Sequence, residues 1–102
     1  MATAWKSTER AVAAILGGRR VPVTGRQRGD VPDVAHGRLS IEDKHRKEVP
    51  GWLLGALAQA EAAATGGRLP VAIIHEHGAR HADALAVLRL RDLAALIAGV
   101  DG

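Results

Sequence analysis

The chain has 102 residues, of which 47% are hydrophobic and 25% charged, as in an ordinary globular domain. It contains no cysteine, which excludes disulfides and thiolate metal sites and favours a reducing compartment. No apolar run approaches the roughly 20 residues that a membrane-spanning helix needs. We therefore expect one cytoplasmic domain over residues 1–102, without membrane attachment.

The first half of the chain predicts one helix followed by three short strands. Residues 4–16 have helical composition with an apolar stripe at helical spacing, and a Gly-Gly pair follows them. The stretch "RRVPV" is typical of an edge strand, because proline cannot donate to a hydrogen-bond ladder. The stretches "DVAHG" and "RLSIEDKHR" predict two strands joined by a tight turn around Gly37.

The second half predicts two helices and two strands. Pro50 introduces the Ala-rich "GWLLGALAQAEAAAT", which a second Gly-Gly pair closes. The strands are "LPVAIIHEHG" and "ADALAVLRL", and "RDLAALIAG" is the last helix. The order is α-β-β-β-α-β-β-α, which predicts an α/β fold with a central mixed β-sheet flanked by helices.

Acidic and basic side chains meet on the third predicted strand. Alternation along a strand puts Glu42 and Lys44 on one side of it, and pairing through the Gly37 turn brings Asp33 close to both. Two carboxylates that lie close together repel unless a cation relieves the conflict. We expect Mg²⁺, for which Mn²⁺ may substitute, held by Asp33, Glu42 and the backbone carbonyl of Asp43.

Glu9 is a fourth candidate, on the first helix. It lies three residues before Val12 and seven before Leu16, on or beside the apolar stripe. A carboxylate at the buried edge of a helix is unusual. Two interpretations remain open: Glu9 reaches the metal directly or through water, or it forms local surface pairs.

The combination of "TERAVAAIL" with Glu9, "VPDV" with Asp33 and "IEDK" with Glu42 and Lys44 resembles the PD-(D/E)xK nuclease superfamily. More narrowly, it resembles archaeal and phage Holliday-junction resolvases of the Hjc type. The resemblance covers nearly the whole chain and implies a restriction-endonuclease-like core with these four residues as the catalytic set. One departure is Asp43, since the family usually has an apolar residue there.

The resemblance implies a metal-dependent, structure-selective DNA endonuclease that cuts four-way junctions as a homodimer, in a prokaryotic cell or a phage-infected host. Two alternatives remain open. One is a related PD-(D/E)xK nuclease, such as a VRR-Nuc-like flap or junction nuclease or a nicking enzyme. The other is a non-catalytic basic DNA-binding module.

Basic side chains near Gly-rich loops suit a phosphate backbone, and Lys and Arg outnumber Asp and Glu by 14 to 11. The candidate DNA-binding residues are Arg10, Arg19, Arg20, Arg26, Arg28, His45, Arg46 and Lys47.

Two further features have two interpretations each. Trp52 is either a core residue or an interface anchor. His75, His77 and His81, beside Glu76, form either a zinc set or a polar hairpin tip, and their spacing is not that of His-Glu-x-x-His.

Overall fold

The structure, a computed structural model, describes residues 4–21 and 34–101. These residues form three α-helices and two small antiparallel sheets, so the α/β class is confirmed. None of the described helices is long and apolar enough to cross a bilayer. In chain order the elements are α1 (Ala4–Leu16), β1 (Arg19–Arg20), β2 (Val34–Ala35), α2 (Gly51–Ala63), β3 (Ala72–Ile74), a 3₁₀ turn (His81–Asp83), β4 (Leu85–Val87) and α3 (Leu90–Asp101).

The described residues group into two compact units. Of the described residues, the first unit comprises 4–21, 34–47 and 94–101, and the second comprises 48–93. Within the first unit, α1 packs on β1 and β2; within the second, α2 packs on β3. The single domain expected from the chain length stays a prediction.

Helix α1 matches its predicted bounds and ends at a glycine in the left-handed conformation. Gly17 has φ 76°, which costs a residue without a side chain little. The Gly18 N–H donates to the Ala13 carbonyl at 2.8 Å, the bond that closes a Schellman motif. Ala13 and Leu16 are buried on the side of α1 that faces the sheet.

Strands β1 and β2 form an antiparallel pair with Arg20 opposite Val34. Val34 is fully buried and also forms a single antiparallel bridge with Ile41. The approach of the two strands is close at Gly18, where an added Cβ would lie 2.5 Å from the Ala35 carbonyl oxygen.

The prediction of a third strand over "RLSIEDKHR" is wrong beyond Ile41. Every residue from 42 to 47 carries a charged or imidazole side chain, and most of these side chains are exposed. With no apolar partner to bury on alternate positions, the segment gains little from joining a ladder. The expected central mixed sheet is likewise not seen among the described residues, which form two separate two-stranded sheets.

The second unit contains an antiparallel hairpin covered by α2. β3 pairs with β4 so that Ala72 faces Val87 and Ile74 faces Leu85. Buried Leu57 on α2 and buried Ala72 on β3 mark the contact between the helix and the hairpin. All three predicted helices are therefore found, with ends that differ from the predicted ones by no more than two residues.

Candidate functional site

Glu9 is buried, as its place on the apolar stripe predicts, and its carboxylate is paired. Arg20 Nε donates to Glu9 Oε1 at 2.7 Å, with the two side chains 21% and 6% exposed. A carboxylate removed from water needs a cation or several hydrogen bonds to stay charged. Arg20, a predicted DNA-binding residue, therefore turns part of its guanidinium inward.

Glu42 and Lys44 lie together on one side of the chain, as predicted. Lys44 Nζ is 3.4 Å from Glu42 Oε2, and both side chains are largely exposed. An ion pair in this setting is screened by solvent and adds little to stability. Both groups are thus accessible to a molecule that approaches from solvent, and half-buried Asp43 lies between them.

The segment that carries Lys44 is tied to α1. Thr8 Oγ1 and His45 Nδ1 are 3.0 Å apart and form a hydrogen bond between residues 37 positions apart in sequence. This contact uses one ring nitrogen of His45, another predicted DNA-binding residue. It joins the immediate chain neighbours of Glu9 and Lys44.

The prediction for Asp33 falls outside the described residues, as do those for Arg26 and Arg28. Its chain neighbour Val34 is described, and it pairs with Ile41, the residue before Glu42.

The carboxylates that are described do not form a complete metal site. Within residues 4–21 and 34–101, no group of three or more His, Asp or Glu side chains could hold a metal ion. Glu9 and Glu42 do supply hard oxygen donors of the kind that Mg²⁺ takes. Only Oε1 of Glu9 accepts the Arg20 bond, and no described residue donates to Oε2.

The remaining predicted DNA-binding residues of the first unit differ in how their side chains are held. Arg10, Arg19 and Lys47 are exposed. Arg46 Nη1 donates to the neighbouring His45 carbonyl at 3.1 Å, so its side chain folds back on the chain. The exposed side chains remain able to contact a polyanion.

The histidines of the second unit lie in the connection between β3 and β4, where a hairpin tip was one interpretation. The His75 and His81 rings stack with centroids 4.8 Å apart and an interplanar angle of 19°. His75 Nε2 donates to the Ala79 carbonyl at 2.8 Å, so that nitrogen carries a hydrogen and is not a metal ligand. The arrangement favours a polar hairpin tip over a zinc set.

Trp52 is 64% exposed, which excludes the core interpretation, and the interface interpretation stays a prediction.

Sequence reasoning missed an ionic cluster in the second unit. Glu61 accepts hydrogen bonds from Arg89 Nε at 3.0 Å and Arg89 Nη2 at 3.3 Å, and Arg91 approaches to 3.7 Å. The Arg89 hydrogen bonds hold the pKa of Glu61 below its ordinary value. The same contact raises the pKa of Arg89. Glu61 is the one charged residue of "GWLLGALAQAEAAAT", a signal that could have pointed to a specific partner.

The described elements define a mixed α/β protein with three helices and two small antiparallel sheets. Comparisons with protein-family models, curated proteins and solved structures found no match to this chain. The functional argument therefore depends on this chain's own residues and contacts.

Proposed function

We propose that this chain is a metal-dependent, structure-selective DNA endonuclease with a PD-(D/E)xK core, which resolves four-way junctions as a homodimer by paired phosphodiester hydrolysis. The observation that carries the proposal is that described neighbours of the four expected catalytic residues contact one another. Residues scattered along the chain thus belong to segments that meet.

The first of these contacts supports bringing Glu9 of α1 to the segment that carries Glu42 and Lys44. Thr8, which precedes Glu9, bonds to His45. His45 directly follows Lys44 in the chain. This bond holds α1 against the segment after Ile41. Glu9 and Lys44 could act on one substrate only if these two segments lie together.

The second contact supports bringing the two carboxylate residues of the hairpin together. Val34, which follows Asp33, pairs with Ile41. Ile41 directly precedes Glu42. The bridge therefore joins the neighbours of the two residues expected to hold Mg²⁺.

The residues divide the chemical work as follows. Asp33, Glu42 and the Asp43 carbonyl would hold Mg²⁺, with Glu9 acting through water. When bound, the ion lowers the pKa of a water molecule and polarises the scissile phosphate. Lys44 stabilises the charge that gathers on the phosphate oxygens, and its exposure leaves it accessible to the substrate.

The test incubates the protein with labelled four-way junctions, flaps and linear duplex, in Mg²⁺ or in EDTA. Paired symmetric nicks at four-way junctions that form in Mg²⁺ and not in EDTA support the proposal. A preference for flaps indicates the related VRR-Nuc-like nuclease, and single nicks in linear duplex indicate a nicking enzyme.

Asp33→Asn should lower the cutting rate about 100-fold or more, because metal-supplied stabilisation is worth several kcal/mol. DNA affinity measured in EDTA should change little. Asp83→Asn is the matched control, because Asp83 lies in the second unit in an exposed pair with Arg80. Cutting by Asp33→Asn at the rate of the control would remove Asp33 from the site.

A specific observation favours the non-catalytic DNA-binding module as a second candidate. The two described carboxylates of the expected catalytic set already have cationic partners, Glu9 with Arg20 and Glu42 with Lys44. If the chain binds no metal, these carboxylates have no other cation to bind and the two ion pairs would persist when DNA is bound. Junction binding without cleavage in Mg²⁺ and in Mn²⁺ would select this candidate.

A further inference from the structure

A cleft of about 400 Å³ opens in the first unit where the end of α1 meets the end of the β1–β2 pair. It is lined by Gly17, Gly18, Arg19, Ala35, His36 and Gly37. Half of these residues are glycines, and the absence of side chains there lets the backbone of a bound polymer approach the protein backbone closely. The cleft is shallow and opens broadly to solvent, which suits contact with the surface of a polymer better than enclosure of a small ligand.

The wall formed by His36 is fixed by two hydrogen bonds. The ring bonds through Nε2 to the Leu16 carbonyl at 3.0 Å and through Nδ1 to the Arg38 N–H at 3.0 Å. Since a carbonyl only accepts and an amide N–H only donates, the hydrogen lies on Nε2 and Nδ1 is the acceptor. The ring therefore ties the end of α1 to the turn after β2, and the cleft is preformed.

One arginine, Arg19, lies at the cleft and opposes the partial negative charge of the helix end. Carbonyl groups at the end of a helix repel anions, but the Ala13 carbonyl accepts from Gly18 and the Leu16 carbonyl accepts from His36. Arg19 is exposed, and no described residue bonds to its guanidinium. A planar guanidinium beside exposed backbone is suited to phosphate.

We propose that this cleft binds a phosphate of the nucleic-acid backbone, with Arg19 as its cationic contact. The inference rests on the proposed function and adds a second contact point to it. Leu16 lies seven positions after Glu9 on α1, a rise of about 10 Å at 1.5 Å per residue. That is about three base steps along one strand. The cleft therefore holds the backbone a few nucleotides from the cut.

The test measures binding of a fluorescent four-way junction by anisotropy in EDTA, over a series of salt concentrations. Arg19→Gln should weaken binding about tenfold and reduce the slope of log affinity against log salt by about one, the value for one lost phosphate contact. Arg68→Gln is the control, since Arg68 is an exposed arginine of the second unit. It should leave the slope unchanged.

A second variant blocks the cleft without removing charge. An added Cβ at Gly37 meets nothing within 4 Å and the residue has no positive φ, so Gly37→Leu should fold. Because Gly37 lines the cleft, we expect a leucine there to take up part of the space open to a phosphate, and to lower affinity and slope without a change of net charge. Circular dichroism of each variant checks that the fold is retained.

The outcomes separate this inference from the proposed function. If Arg19→Gln binds the junction with wild-type affinity and an unchanged salt slope, the cleft proposal is overturned and the endonuclease proposal stands. If the wild type binds no DNA, the endonuclease proposal fails, and titration with inorganic phosphate followed by NMR decides on the cleft. Phosphate-dependent chemical-shift changes at the Gly17, Gly18 and Gly37 amides that are lost in Arg19→Gln would support the cleft proposal. The absence of such changes in the wild type would overturn it.

Discussion

Each of the two compact units contains a glutamate–arginine pair, and the two pairs differ in burial. In the first unit, Glu9 and Arg20 are 6% and 21% exposed. In the second, Glu61 and Arg89 are 27% and 38% exposed. The buried carboxylate depends on its partner, whereas the other keeps part of its hydration. Although both pairs join a glutamate to an arginine, removing the arginine should lower the free energy of unfolding more in the first unit than in the second.

The apolar side chains show a contrast in the same direction. Val34 in the first unit is fully buried, while Trp52, Ile73 and Leu85 in the second are largely exposed. Helix α2 consists of apolar residues and glycine apart from Gln59 and Glu61, yet only Leu57 of it is buried. The first unit thus buries a charge, and the most exposed large apolar side chains of the described residues lie in the second.

The largest effect should come from Arg20→Ala, which leaves the Glu9 carboxylate buried without its cation. Breaking a buried pair in this way costs about 3 kcal/mol of unfolding free energy. Urea unfolding measures this change in unfolding free energy. The control is Arg10→Ala, an exposed residue beside Glu9 on α1, which we expect to stay within about 0.5 kcal/mol of wild type. Equal values for both variants would show that the pair does not stabilise the first unit.

Val34→Ala should cost about 2 kcal/mol, because it removes two methyl groups from a fully buried site. Ile73→Ala removes a larger side chain from an exposed site of the second unit, so we expect about 0.5 kcal/mol or less. Urea unfolding of the two variants compares the units directly. The reverse order would contradict the burial contrast.

The Glu61–Arg89 pair should make stability depend on pH in a defined direction. The folded-state pKa of Glu61 is depressed, so the pair stabilises the fold above the ordinary glutamate pKa and loses that contribution as pH falls through the folded-state value. Arg89→Gln should therefore lower stability at neutral pH and differ less from wild type in acid. Arg80→Gln, which breaks an exposed pair with Asp83, serves as the control. A gap that widens on acidification would reverse the sign of the linkage.

The smallest effect should come from Trp52→Ala, within about 0.5 kcal/mol of wild type, since the side chain already contacts water. Urea unfolding at two protein concentrations provides the measurement. A larger loss that grows with concentration would indicate that another copy of the chain covers Trp52.

The helices and the burial of Glu9 could be predicted from the sequence because both are local. Apolar spacing and Gly-Gly pairs delimit the helices, and the position of Glu9 relative to Leu16 indicates its face. The partner of Glu9 could not be predicted, since the reversal at Gly17 decides which arginine returns to α1. The general rule that a buried carboxylate needs a cation predicts only that some lysine or arginine pairs with Glu9.

The sheet architecture was less predictable. Strand pairing depends on contacts between distant residues, and the sequence does not show whether β3 and β4 join the first sheet or pair with each other. They pair with each other, with Ile73 opposite Ala86. The candidate site shares this limit, because nothing in the sequence indicates the Thr8–His45 hydrogen bond.

The close approach at Gly18 has a consequence for protein engineering. Since an added Cβ there would also lie 2.8 Å from Val34 Cγ1, any side chain meets both the backbone and the core. A saturation library at position 18, sorted for folded protein, should return glycine almost exclusively. Gly37, whose surroundings are open, should accept many residues, and the two positions together would calibrate how narrowly this scaffold constrains its own redesign.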